Sequence, residues 1–283
     1  MTVVPIDDDV APSGPISRRE VRIREVEVCG TAVRTAVWPG SAAHTPLLLF
    51  NGIGASFELL APFADAVGDI EVIAFDVPGA GGSQLPKLPY RLSTLAVLVS
   101  KMLDELGFGQ VDVLGVSWGG AAAQQFALQN PRRCRRLVLA ATSPGVLMVP
   151  PKPAVLAALM TPRRFNDPEY RRRIAGTIYG GRAAEGSAAV DRFRRTSHRG
   201  YLLQQFALAG WSSLPWLALL RQPTLIIAGS DDPIIPLVNA RILARLIRRS
   251  RLLVVDDGHL FLISAAAWTG RVVREFLVGA QPR

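Results

Sequence analysis

Gly115-Val116-Ser117-Trp118-Gly119 fits the pattern G-x-S-x-G. The pattern is short, and its context gives it weight: it ends the apolar run Val111 to Val116 and opens a helical stretch at Trp118. A strand that turns sharply into a helix needs small residues beside the seryl backbone, so that the hydroxyl stands exposed at the strand end. Gly115 and Gly119 supply them, and Gly120 with Ala121 to Ala123 let the helix lie close against a sheet. Ser117 is therefore a candidate nucleophile. The plainer role for a serine there is a helix N-cap.

A hydroxyl is a weak nucleophile near neutral pH and needs a base, and the base needs an orienting group. On a strand–serine–helix scaffold the partners follow in the order serine, acid, histidine. The chain has three histidines. His259, in Asp256-Asp257-Gly258-His259, alone follows an apolar run in the last third. His44 precedes a strand, which puts it at the wrong end of a sheet. His198 lies among Arg194, Arg195 and Arg199, which would oppose an imidazolium. The acid is expected in Gly229-Ser230-Asp231-Asp232-Pro233, after the run Pro223 to Ala228. Asp232 is the first choice and Asp231 the competitor; both could instead shape a turn or cap the next helix. A tetrahedral oxyanion needs two donors. The expected ones are the backbone N–H of Trp118 and that of Ile53, in the loop Asn51-Gly52-Ile53-Gly54.

These residues must be positioned by alternating elements. Val21 to Val37 alternates around Cys29-Gly30, as an antiparallel hairpin does. Short apolar runs follow at Leu47 to Phe50, Glu71 to Phe75, Val111 to Val116 and Leu137 to Ala141. Helical spacing separates them at Ser93 to Leu106 and Trp118 to Gln129. The rhythm stops at Thr142 and resumes at Pro223 to Ala228 (strand), Leu237 to Ile247 (helix), Leu252 to Val255 (strand) and Leu260 to Leu277 (helix). Apolar strands alternating with amphipathic helices predict βαβ units and a mostly parallel sheet. The expected organisation is a flexible lead-in at 1–17, an α/β body at 18–141 and 215–283, and an insertion at 142–214.

Composition narrows the classes. The 283 residues are 49% hydrophobic and 19% charged, which excludes a disordered or coiled-coil chain. Two cysteines exclude a disulfide scaffold, and with three histidines they argue against a metal centre. No targeting signal or membrane span is read, so the cytoplasm is the expected compartment. The net charge is +9. Eleven basic and four acidic residues fall in 142–214, giving +7 there against +2 for the remainder. No nucleic-acid motif accompanies that charge, so nucleic acid is not an expected partner.

Two weaker signals carry less. Gly79-Ala80-Gly81-Gly82-Ser83 follows a strand but lacks the spacing of a nucleotide loop. Arg132, Arg133, Arg135 and Arg136 around Cys134 read as a solvated turn, with the cysteine buried or inert.

The segments PLLLFNGIGA (Pro46 to Ala55), EVIAFDVPGAGGS (Glu71 to Ser83), GVSWGGAAAQQFA (Gly115 to Ala127), LVLAATSPGVLMVP (Leu137 to Pro150), TIYGG (Thr177 to Gly181), QPTLIIAGSDDPIIP (Gln222 to Pro236) and DDGHLFLI (Asp256 to Ile263) together resemble the α/β-hydrolase superfamily. More closely, the chain resembles its intracellular medium-chain-length polyhydroxyalkanoate depolymerases. The resemblance implies a mostly parallel central sheet with helices on both faces and an inserted, mainly helical cap. It implies a triad of Ser117, Asp232 and His259 that hydrolyses the esters of a stored 3-hydroxyacyl polyester through an acyl-enzyme. It implies no cofactor and no metal. The cap's apolar stretches would meet polymer, and its arginines would face an anionic granule coat or carboxylate products. The expected site of action is the storage-granule surface. The alternative is a carboxylesterase or C–C bond hydrolase of small soluble substrates, which would use the same triad.

Overall fold

The computed structural model describes residues 3–6, 18–159, 163–184 and 197–279. Among the described residues nine strands form one sheet: β1 (Val3–Val4), β2 (Arg22–Val28), β3 (Thr31–Trp38), β4 (Leu47–Phe50), β5 (Val72–Phe75), β6 (Val111–Val116), β7 (Cys134–Ala140), β8 (Thr224–Gly229) and β9 (Ser250–Val255). Their order is β1-β9-β8-β7-β6-β4-β5-β3-β2. Only the pairs β2/β3 and β3/β5 are antiparallel; the others run parallel.

Helices cover both faces, which explains why the central strands are apolar at nearly every position. Leu48, Phe50, Val113, Leu139 and Ile226 point to one face. There they meet α2 (Leu92–Leu106), α3 (Trp118–Gln129) and α9 (Val238–Leu246). Their neighbours Leu47, Leu49, Leu114, Val138 and Leu225 point to the other. That face is covered by α1 (Ala61–Ala66), α10 (Phe261–Ser264) and α11 (Ala266–Val278).

Between β7 and β8 the described elements are helical: α4 (Pro153–Leu159), α5 (Arg163–Asn166), α6 (Pro168–Tyr179), α7 (Gly181–Ala184) and α8 (His198–Leu208), then the 3₁₀ turn Leu214–Leu219. Val155, Ala175, Ile178 and Tyr179 form a small core with Ile234 and Leu260 of the body. Met160, Glu185, Asp191, Arg192, Arg194 and Arg195 lie outside the described residues, as do the side chains of Arg164 and Phe165.

The structure departs from the sequence reading in three places. Val3 and Val4, expected in a flexible lead-in, pair with Val254 and Val255 and cover the edge of β9. Residues 7–17 of that lead-in lie outside the described residues. The last helix is interrupted at Ala265, whose backbone is non-helical (φ −126°, ψ 43°). Ser264 Oγ donates there to Asp257 Oδ2 (2.7 Å), with Leu260 O also within reach (3.1 Å), drawing the first turn toward the β9 loop. Of the arginines around Cys134, Arg132 is exposed in a turn as expected, but the other three are not solvated. Arg135 makes a bidentate pair with buried Asp112 (2.9 and 2.5 Å) and donates to Leu277 O (2.9 Å). Arg136 donates to Phe276 O and Gly279 O, and Arg133 to Asp104 and Ser100. Cations at free helix carbonyls complement the negative end of the dipole, and here they tie α11 to the sheet.

Candidate active site

Parallel strands bring the loops after β4, β6, β8 and β9 to one edge of the sheet. Ser117 sits between β6 and α3 with φ 56° and ψ −121°, a conformation strained for any residue but glycine. Three bonds hold it: Ser117 N–H to Ala140 O (3.0 Å), Gly120 N–H to Ser117 O (2.9 Å) and Thr142 Oγ1–H to Ser117 O (2.7 Å). A Cβ at Gly115 would collide with the Gly119 carbonyl and Ala123, and one at Gly119 with the Phe50 and Asn51 carbonyls. The two glycines of the motif are thus required by close approach. The Ser117 side chain makes no capping bond to α3, which disposes of its plainer role.

His259 and Asp232 come together although 27 residues apart: Nδ1 lies 2.7 Å from Asp232 Oδ2. Asp232 Oδ1 accepts the N–H groups of Ile234 and Ile235, each at 2.9 Å, so both carboxylate oxygens are engaged. An ionised carboxylate only accepts, so Nδ1 carries the proton and Nε2 is left as the acceptor. Both side chains are buried. Asp231 does not share this site: its Oδ2 accepts the Gly181 N–H at 2.9 Å. Asp257 likewise serves the insertion, accepting Arg182 N–H (2.9 Å), while His259 N–H donates to Tyr179 O (2.6 Å). A Cβ at Gly258 would strike the Tyr179 carbonyl, so the histidine loop and α6 pack backbone to backbone.

The loop after β4 is fixed from within and from without. Asn51 Nδ2 donates to Ser56 O (2.6 Å), and Asn51 Oδ1 accepts the Gly52 N–H (2.8 Å). Gln204 Oε1, on α8, accepts the Gly54 N–H (2.9 Å). Trp118 is the first residue of α3, where an N–H has no intrahelical acceptor. The remaining histidines lie elsewhere: His44 faces Asp69 (3.5 Å), and His198 is exposed at the start of α8. The glycine loop after β5 wraps the chain's own Asp76, whose Oδ2 accepts the Gly82 N–H (2.8 Å). Burial pushes the Asp76 carboxyl above its ordinary pKa, against the pull of the Gly82 and Phe57 N–H groups and Arg34.

Ser117 and His259 both line a cavity of about 700 Å³. The lining is mainly apolar, with Ile53, Met148, Leu156, Leu159, Phe206 and Ile235 among its walls. Among the described residues no group of three or more His, Cys, Asp or Glu could hold a metal ion. No described helix is long and apolar enough to cross a membrane. Gln204 and Thr142 belong to no motif in the sequence. The only trace of the first was a polar pair, Gln204-Gln205, in an apolar stretch.

Known proteins place this architecture. The alpha/beta hydrolase fold family matches residues 45–183 and 187–266. A poly(3-hydroxyalkanoate) depolymerase of Ectopseudomonas oleovorans is 52% identical over 259 residues, covering 90% of this chain and 92% of the relative. A 2-hydroxymuconate semialdehyde hydrolase of Pseudomonas sp. (strain CF600) is 28% identical over 274 residues, covering 90% and 94%. The solved enol-lactonase from Burkholderia xenovorans LB400 superposes with a TM-score of 0.77 at 23% identity, over 90% of this chain and 99% of that one, a likeness of fold. The chain belongs to the α/β-hydrolase family, in the branch that holds the Ectopseudomonas depolymerase.

Proposed function

We propose that this chain hydrolyses the ester bonds of a poly(3-hydroxyalkanoate) with medium-length side chains. The observation that carries the reading is the cavity: an apolar volume of about 700 Å³ that meets Ser117 and His259. An acyl tail of several carbons is stabilised there by burial, at roughly 0.8 kcal/mol per methylene. The name of the 52% identical relative points to the same substrate class.

Ser117 Oγ attacks the ester carbonyl while His259 Nε2 takes its proton. Asp232 holds the ring and stabilises the imidazolium that forms. The N–H groups of Ile53 and Trp118 receive the oxyanion. The alcohol end of the polymer leaves with the proton from His259. Water, deprotonated by the same nitrogen, then releases the 3-hydroxyacyl group. The chemistry needs no cofactor.

Residues 142–214 act as a cap over this site, inserted between the body segments 18–141 and 215–283. Val146, Leu156 and Phe206 line the cavity and are half exposed at its mouth, which suits an apolar polymer surface. Lys152, Arg172, Arg173 and Arg199 are exposed on the same insertion, which suits an anionic granule coat. The protein would then work in the cytoplasm, at the surface of storage granules.

The test is release of 3-hydroxyoctanoate from medium-chain polyester by the wild type and by Ser117→Ala. Release that depends on Ser117 is expected, with faster turnover of polymer than of short soluble esters. The reverse preference would defeat the depolymerase reading in favour of a small-ester hydrolase. Granule binding that weakens as salt rises is expected for the electrostatic contact, and salt-independent binding would defeat it.

A further inference from the structure

We propose that Gln204, on helix α8, is a positioning residue for the oxyanion hole; the inference rests on the ester-hydrolase reading above. Gln204 grips both carriers of the expected donors. Its Oε1 accepts the Gly54 N–H (2.9 Å), next in the chain after Ile53. Its main-chain oxygen accepts the Trp118 Nε1–H (2.9 Å). The loop 51–54 is thus held at one end by Asn51 of the body and at the other by a residue 150 positions away.

The side chain is fully buried, and its Nε2 has no hydrogen-bond partner among the described residues. A buried amide with a donor unpaired is costly, and methionine or leucine would fill the space without that cost. Such a local violation is expected where the other end of the group has a job that an apolar side chain cannot do. Here that job is to accept from Gly54.

Helix α8 gives Gln204 a fixed base. Tyr201 Oη–H donates to Leu159 O (2.6 Å), and Arg91 donates to Phe206 O (2.9 Å) and Ala209 O (2.8 Å). The Arg91 guanidinium also stacks on the Phe206 ring at 4.1 Å. The insertion therefore helps to set the oxyanion geometry as well as covering the cavity.

Gln204→Met removes the acceptor and keeps the volume. With 4-nitrophenyl octanoate, kcat is expected to fall about tenfold while KM stays within about twofold, as for an interaction made mainly in the transition state. Affinity for octylboronic acid, whose tetrahedral serine adduct sets an oxygen in the oxyanion hole, should fall by the same factor. Inhibition by 1-octanol, which reads only the apolar cavity, should not change. Gln222→Met, a buried glutamine bonded to Ala127 O at the far end of β8, should leave kcat as it is. Should Gln204→Met not fold, Gln204→Leu removes the same acceptor with an apolar side chain, and the same losses are expected. Wild-type kcat and boronate affinity in either folded variant would overturn the proposal, as would an equal loss of octanol binding. Absence of Ser117-dependent turnover in the wild type would instead overturn the ester-hydrolase reading on which it rests.

Discussion

Asp232 and Asp231 are adjacent and face opposite ways: Asp232 Oδ2 lies 2.7 Å from His259 Nδ1, while Asp231 Oδ2 accepts the Gly181 N–H of the insertion. One carboxylate bonds the histidine and the other bonds the segment between β7 and β8. The same turn therefore ties His259 to the start of α7.

That division predicts two different variants. Asp232→Asn should lower kcat by roughly 10³–10⁴-fold, because an amide donor at that position favours the wrong imidazole tautomer. Asp231→Ala should change kcat by less than about threefold and cost about 1 kcal/mol, the worth of one partly exposed hydrogen bond. Ester kinetics and urea unfolding of both variants check this. Equal losses of kcat would assign the acid wrongly.

Much of the fold was legible because the parallel strands are buried on both faces and read as apolar runs. The hairpin was legible because burial alternates along most of β3 and over Glu25 to Val28 of β2, although Arg22 to Arg24 are exposed on both faces. Two valines are too few to show a period, so β1 escaped notice. The choice between Asp231 and Asp232 is made by the rotation of one turn against His259, and neither neighbour sequence encodes it locally. Gln204 was illegible for a related reason: its partner Gly54 is 150 residues away. The arginines near Cys134 looked solvated because their acceptors, Asp112 and the end of α11, come from other elements.

Those acceptors give a stability prediction. Asp112 is completely buried, and burial pushes its carboxyl above the ordinary pKa while Arg135 pulls it back. Arg135→Ala leaves that charge without its partner and should cost about 3 kcal/mol. The folded carboxyl then binds a proton more readily than the unfolded one. Stability is therefore lost as pH rises through the interval between the two values, and the deficit should be larger at pH 8 than at pH 5. Asp112→Asn in the same background should recover part of the loss. Guanidinium unfolding at both pH values measures it, and a deficit independent of pH would refute the account.

The two thiols should differ in reactivity. Cys29 is exposed in the β2–β3 turn, whereas Cys134 is buried and free. Burial, with Asp112 nearby, pushes the Cys134 thiol well above its ordinary pKa, so little thiolate exists near neutral pH. Ellman's reagent should titrate one thiol per native chain and two in guanidinium. Two fast thiols in the native protein would contradict the packing around β7.

Finally, the strain at Ser117 separates stability from activity. Its φ of 56° with ψ −121° is a conformation that glycine adopts without penalty and that costs a residue with a Cβ roughly 1–3 kcal/mol. Ser117→Ala keeps the Cβ and hence the strain, so its melting temperature should match the wild type. Ser117→Gly removes both the hydroxyl and the strain. After the larger backbone entropy of glycine in the unfolded chain is set against this, a net gain of about 1 kcal/mol remains, or about 2–4 °C for a domain of this size. Both variants should lose ester turnover. If the glycine variant melts no higher than the alanine variant, the elbow is not strained, and the sharp turn at Ser117 carries no stored energy.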